Sequence, residues 1–234
     1  MLLPLKDDNP TSRFPIVTVC FIALNAVIFF LQIISPEGLQ FYVYKMGTIP
    51  YEITHFKSLP LVVSQTAEQI PRLNPALTLI VSMFLHGDIF HLLFNMLYLW
   101  IFGNNVEDFL GPFRFILFYL IAGVGASLTH IMFNANSQVP MIGASGAIAG
   151  VLGAYLILFP NARVKTFLFL FFFIRIVAIP AAFVLGFWFF MQLLNVWGGS
   201  QTGGVAWFAH IGGFLIGIGL IKLITKKRPK VWIH

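Results

Sequence analysis

Apolar runs of about 20 residues recur along the whole chain, and a run of that length crosses the hydrocarbon core of a bilayer as a helix. Prolines, glycines and polar residues divide them into six spans, at about 15–34, 89–109, 112–133, 145–160, 181–197 and 205–224. Of the 234 residues, 59% are apolar and only 9% charged, whereas a water-soluble domain carries about 25% charge. No stretch is polar enough to form a soluble domain of its own. The expectation is therefore a single membrane domain over residues 1–234, all-α, a polytopic bundle of six transmembrane helices.

The first span exceeds the apolar core of a signal peptide, and Ser35-Pro36-Glu37 follows it in place of a small-residue cleavage site, so it is expected to be retained. Residues 35–88 form the expected external loop, its part 35–76 being the only long polar segment. The fourth span stops at Pro160 and is unusually short. The run Phe167 to Trp197 is too long for one crossing and is interrupted at Arg175 and Pro180. Its first part, to Ile179, reads as interfacial or half-inserted, with the Phe-rich stretch 167–173 touching lipid.

With the N-terminus inside, ten Lys and Arg fall on inner segments and three on outer loops, which predicts that both termini face the cytoplasm. Five of the fourteen basic residues lie between Lys222 and Lys230, a membrane flank and not a nucleic-acid patch. Cys20 has no partner for a disulfide and reads as a small core residue. His86 and His91 are five apart, about 140° around a helix, and no HExxH is present, so neither metal nor cofactor is expected.

Polar side chains inside spans are costly and mark functional sites. Three clusters stand out. His91 and Asn95 are four apart on one face of the second span. Gly143-Ala144-Ser145-Gly146 opens the fourth, where glycines admit close approach and N–H groups are free at a helix start. Ala209-His210-Ile211-Gly212-Gly213, with Gly217 beyond, gives the sixth span a small-residue face for tight packing. At about 1.5 Å per residue, counting from each cytoplasmic end, Ser145, His210, Asn95 and His91 lie at about 22, 18, 20 and 25 Å. One layer holds all four.

A serine, a neutral histidine and a set of N–H donors are the parts of acyl transfer. Ser145 would attack and His210 would move its proton, with His91, Asn95 and the Ser145 N–H holding the oxyanion. No intramembrane carboxylate is placed to orient His210, so the arrangement reads as a dyad. Taken singly, Ser145 reads as a helix cap, His210 as a packing histidine, and His91 and Asn95 as a helix-to-helix hydrogen bond.

GASG at 143–146, HGDIFHLLFN at 86–95, NVEDFLGPFRF at 105–115 and AHIGGFLIG at 209–217 resemble, in order and spacing, the rhomboid intramembrane serine proteases, and the likeness covers about residues 15–225. The resemblance implies a six-helix core with Ser145 as nucleophile, His210 as base, His91, Asn95 and the Ser145 N–H as oxyanion donors, and His86 as a brace for the first external loop. It also implies membrane-protein substrates whose transmembrane segment is helix-destabilised near the cut. Two positions depart from the family pattern. The Trp-Arg pair that many members carry in the first loop is replaced near Leu77 and Thr78, and Ala149 stands where some members stack a tyrosine under the histidine.

Two other classes remain in view. A transporter would need a polar path through the full thickness, and a catalytically dead relative would bind clients without cutting them. For substrate entry, span five is the expected gate, flanked by Pro180 and by Gly198, Gly199, Gly203 and Gly204, with Phe187, Trp188 and Phe190 in its bulky outer half.

Overall fold

The computed structural model describes residues 2–63, 68–170, 173–198 and 205–226. In chain order these form β1 (Leu2–Asp7), α1 (Ile16–Ile34), α2 (Gly38–Met46), α3 (Pro50–His55), the hairpin β2 (Leu61–Val63) and β3 (Glu68–Ile70), and α4 (Pro75–Val81). There follow α5 (Ile89–Tyr98) and α6 (Asn104–Leu110), joined through a π turn at Leu99–Gly103, then α7 (Pro112–Phe133), α8 (Ser145–Leu158), β4 (Arg163–Leu170), β5 (Phe173–Pro180), α9 (Ala181–Trp197) and α10 (Trp207–Lys226).

Among the described residues four helical stretches are long and apolar enough to cross a membrane: Ile16–Ile34, Ile89–Leu110, Pro112–Phe133 and Trp207–Lys226. Helices α8 and α9 are apolar but shorter, at 14 and 17 residues. The molecule is a multi-pass, mainly helical membrane protein.

Helix α1 is built inside out relative to a soluble helix. Thr18, Asn25 and Gln32, seven apart, are buried, while Leu24, Val27, Phe30, Leu31 and Ile34 are exposed. In a bilayer the apolar residues need no protein partner, whereas polar ones must find an internal acceptor or donor. Each does. Thr18 Oγ1 donates to Glu107, Asn25 Nδ2 donates to the Phe21 carbonyl, and Gln32 Oε1 accepts the His86 N–H. Glu107 also accepts the N–H groups of Val17 and Thr18, and Asp108 accepts both the N–H and hydroxyl of Ser12. These two carboxylates thus fasten the end of α6 to the start of α1, satisfying orphan donors of its first turn. Cys20, expected in the core, is exposed on α1, whose buried residues are Val17, Thr18, Asn25, Phe29 and Gln32.

Helix α8 is the central element, with every residue from Ala147 to Tyr155 buried. It lies against α10 and α7 through small residues, and a Cβ on Gly150 would come 2.5 Å from Ala122 Cβ. The same Cβ would lie 3.2 Å from the Gly213 carbonyl of α10, and the close approach of Gly213 to Gly146 puts the start of α8 beside the first half of α10.

The expected helical bundle is present, but the described residues are not all-α, since they also include five strands. The run read as interfacial or half-inserted is a β-hairpin, β4 pairing antiparallel with β5, and β1 adds to β4 as the edge strand. A continuous apolar run carries no period from which strand and helix can be told apart, and its partner β1 lies about 160 residues away in sequence. Asp7 pins this sheet to the far end of α8 by accepting the Tyr155 hydroxyl at 2.6 Å. Burial pushes the Asp7 carboxyl up from its ordinary range, and the Tyr155 hydrogen bond works against that rise.

The segment between α1 and α5 is fastened without a Trp-Arg pair. Arg72 forms a fully buried ion pair with Glu52 at 2.8 Å and donates to the Gly47 carbonyl at 2.9 Å. Next to it, Thr48 and Met141 exchange both backbone hydrogen bonds, at 3.0 and 2.7 Å. The loop is thereby joined to the strand-like approach to α8.

Candidate active site

Ser145 opens α8, so its N–H belongs to the first turn, where donors have no intrahelical acceptor. The preceding chain is held by the Gly143 N–H donating to the Ser82 carbonyl at 2.9 Å. Gly143 is required here for two reasons. Its φ of +111° favours glycine, and a Cβ would lie 2.6 Å from His91 Nε2.

Ser145 Oγ and His210 Nε2 are 2.8 Å apart, although 65 residues separate them in sequence. This distance follows from helix packing. Gly213 and Gly217 of α10 face Gly146 and Gly150 of α8, and a Cβ on either α10 glycine would collide with the opposing carbonyl. A Cβ on Gly146 would in turn sit 2.8 Å from Ala126 Cβ on α7. Residues with side chains at these points would push His210 out of reach.

The second-span residues face the same place. Asp88 caps α5 by accepting the His91 N–H at 2.9 Å, which fixes the helix start just before His91. His91 and Asn95 both line a cavity of about 800 Å³ together with Ser145 and His210. Asn95 Nδ2 is buried and has no protein acceptor among the described residues. His86 is fully buried, its ring edge-on to His91 with centroids 5.0 Å apart.

On the other side stands α9. Gln192, with Oε1 2.9 Å from His210 Nδ1, is the polar neighbour that the sequence analysis misses. Its signal was available, since an amide in an apolar span is itself a site candidate. Trp188 and Trp207 flank the imidazole, with centroids 5.8 and 5.9 Å away. They occupy the ring's surroundings where Ala149 offers no aromatic.

The three residues named for the gate do not share a face. Phe187 and Phe190 are exposed on α9, whereas Trp188 turns inward onto His210 and Phe214. Gly198 ends α9, and Gly199, Gly203 and Gly204 lie outside the described residues. The cavity lies between Phe90, Phe94 and Tyr98 on α5 and Trp188 and Gln192 on α9. Among the described residues no three His, Cys, Asp or Glu side chains cluster as metal ligands.

Chemically, a hydroxyl against an imidazole nitrogen, a free helix-start N–H and an unpartnered amide donor around one cavity can attack a carbonyl and hold the oxyanion that forms.

The rhomboid domain family model matches residues 74–227. Over 166 residues, 66% of this chain and 44% of the relative, the sequence is 30% identical to the mitochondrial rhomboid protein 1 of Saccharomyces cerevisiae. It is 36% identical over 162 residues, 68% of the chain and 47% of the relative, to the mitochondrial RHOMBOID-like protein 6 of Arabidopsis thaliana. It is 47% identical over 78 residues, 33% of the chain and 15% of the relative, to rhomboid protease GluP of Bacillus subtilis. The chain spans less than half the length of each of these relatives. With a matching family model over most of its length, the chain belongs to the rhomboid family of membrane proteins.

Proposed function

We propose that the chain is an intramembrane serine endopeptidase that hydrolyses peptide bonds in or near transmembrane segments of other membrane proteins. The observation that carries the reading is the 2.8 Å approach of Ser145 Oγ to His210 Nε2 at a cavity within the bundle. Ser145 Oγ attacks the carbonyl carbon as its proton passes to His210 Nε2. The oxyanion accepts from the Ser145 N–H, Asn95 Nδ2 and the His91 ring. His210 then gives the proton to the leaving amine as the C–N bond breaks. Water then attacks the acyl carbon as it gives a proton to His210, and His210 passes that proton to Ser145 Oγ as the acyl–oxygen bond breaks and the new carboxylate leaves.

In this reading α8 and α9 complete a six-span core, the termini face the cytoplasm of a bacterial cell, and neither metal nor cofactor takes part. His86 supports the loop above His91. A substrate helix shields its own carbonyls, so Gly, Pro or polar residues near the cut favour cleavage.

Labelling of the purified protein with a fluorophosphonate, together with cleavage of a transmembrane reporter, tests the reading. Labelling and cleavage are expected. A folded protein that does neither is a client-binding or transport protein instead. In the same assay Asn95→Ala lowers kcat by about 10²–10³, the usual effect of deleting one oxyanion donor. Unchanged turnover in an Asn95→Ala, His91→Ala double variant removes both from the site.

Entry runs between α5 and α9. Phe187→Ala and Phe190→Ala should therefore loosen α9 and raise cleavage of transmembrane substrates, with some loss of thermal stability. A crosslink from α5 to α9 that leaves such cleavage unaffected excludes this route.

A further inference from the structure

We propose that Gln192 is the positioning residue that sets the tautomer and the ring plane of His210. The proposal rests on the reading of Ser145 and His210 as nucleophile and base, and it follows from donor and acceptor chemistry at three consecutive contacts.

Gln192 Nε2 lies 2.9 Å from the backbone carbonyl of Trp188, one turn earlier on α9. A carbonyl oxygen only accepts, so the amide nitrogen must face it. That leaves Oε1 toward His210 Nδ1 at 2.9 Å. An amide oxygen also only accepts, so Nδ1 carries the proton. His210 Nε2 is then bare, 2.8 Å from Ser145 Oγ, and the hydroxyl donates to it. The chain of contacts admits one polarity, and that polarity makes Nε2 the base. With the opposite tautomer, Nε2–H would donate to the serine oxygen and no base would face the nucleophile.

Two surrounding features favour an amide in this role. Gln192 is only 5% exposed, and a carboxylate there would bring a charge into the bundle at a large desolvation penalty. The indoles of Trp188 and Trp207 bound the imidazole, so the Gln192 contact has only to fix rotation within that slot. A neutral acceptor stabilises the transient imidazolium less than a carboxylate does. Its loss should therefore have less effect than the roughly 10⁴-fold loss seen for a triad carboxylate.

The test uses the full chain in detergent micelles with Gln192→Met, which keeps length but removes the acceptor, Gln192→Leu as a second apolar variant, and Gln192→Glu, which keeps an acceptor. Turnover of a transmembrane reporter, fluorophosphonate labelling rate and the ¹⁵N imidazole signals are measured, with the His210 signals identified by their loss in His210→Gln. In the unaltered protein the proton is expected on Nδ1. Gln192→Met or Gln192→Leu should lower kcat and the labelling rate by about 10- to 100-fold, with KM within about twofold and His210 shifted to mixed tautomers. Gln192→Glu should recover activity to within about tenfold of the original. A proton on Nε2 in the unaltered protein overturns the proposal, and this measurement needs no variant to fold. Full kcat in a folded Met or Leu variant also overturns it. An unaltered protein that neither cleaves nor labels sinks the serine-protease reading, while the tautomer still decides the role of Gln192.

Discussion

Ser145→Ala is expected to abolish reporter cleavage and fluorophosphonate labelling while the protein keeps its thermal transition. The hydroxyl makes its hydrogen bond to His210 and does not cap α8, so its removal changes stability by only about 1 kcal/mol. On the proposed reading catalysis would lose its nucleophile, and losses near 10⁶ are known when one member of such a unit is removed. His210→Ala should be equally inactive, and the double variant no worse than either single one, because the two act together. Melting in detergent, measured beside turnover, separates chemistry from packing. Residual activity confined to a small folded fraction would assign both residues to packing.

Gly217→Ala is expected to lower the melting temperature sharply and to inactivate the protein with the dyad residues untouched. The added Cβ collides with the backbone of Gly150, its carbonyl included, and not with the end of a flexible side chain. Overpacking of this kind costs about 1–3 kcal/mol and occasionally more. Relief can come only by separating α8 from α10, which carry Ser145 and His210 respectively. Gly219→Ala on the same helix is the control. Nothing lies within 4 Å of its Cβ, so the change should be neutral or stabilising by about 0.5–1 kcal/mol through helix propensity. Equal melting of the two variants would mean that the glycine face does not set the helix spacing.

The sequence made the helical spans legible to within about two residues, since α1, the α5–α6 stretch, α7 and α9 begin and end close to where the apolar runs do. That is expected of a bilayer protein, because hydrocarbon forces each crossing segment to satisfy its own backbone and so ties helix length to apolar length. The hairpin at Arg163–Pro180 escaped for the converse reason: its backbone partners are another strand and β1, and neither is visible in a local window. The buried Arg72–Glu52 pair was hidden in the same way, its members being ordinary loop charges until the chain closes on itself.

By itself, the sequence pointed to a membrane protein and to where its long apolar helices fall, and it led to the expectation that Ser145, His210, His91 and Asn95 share one depth, because span length and rise per residue are one-dimensional quantities. Only the tertiary structure decided which of these side chains touch, that Trp188 turns inward while Phe187 and Phe190 turn out, and that Gln192 meets His210. Those outcomes depend on the rotation of each helix about its axis and on how closely glycine faces let backbones approach. Both are set by packing against neighbours far away in the chain.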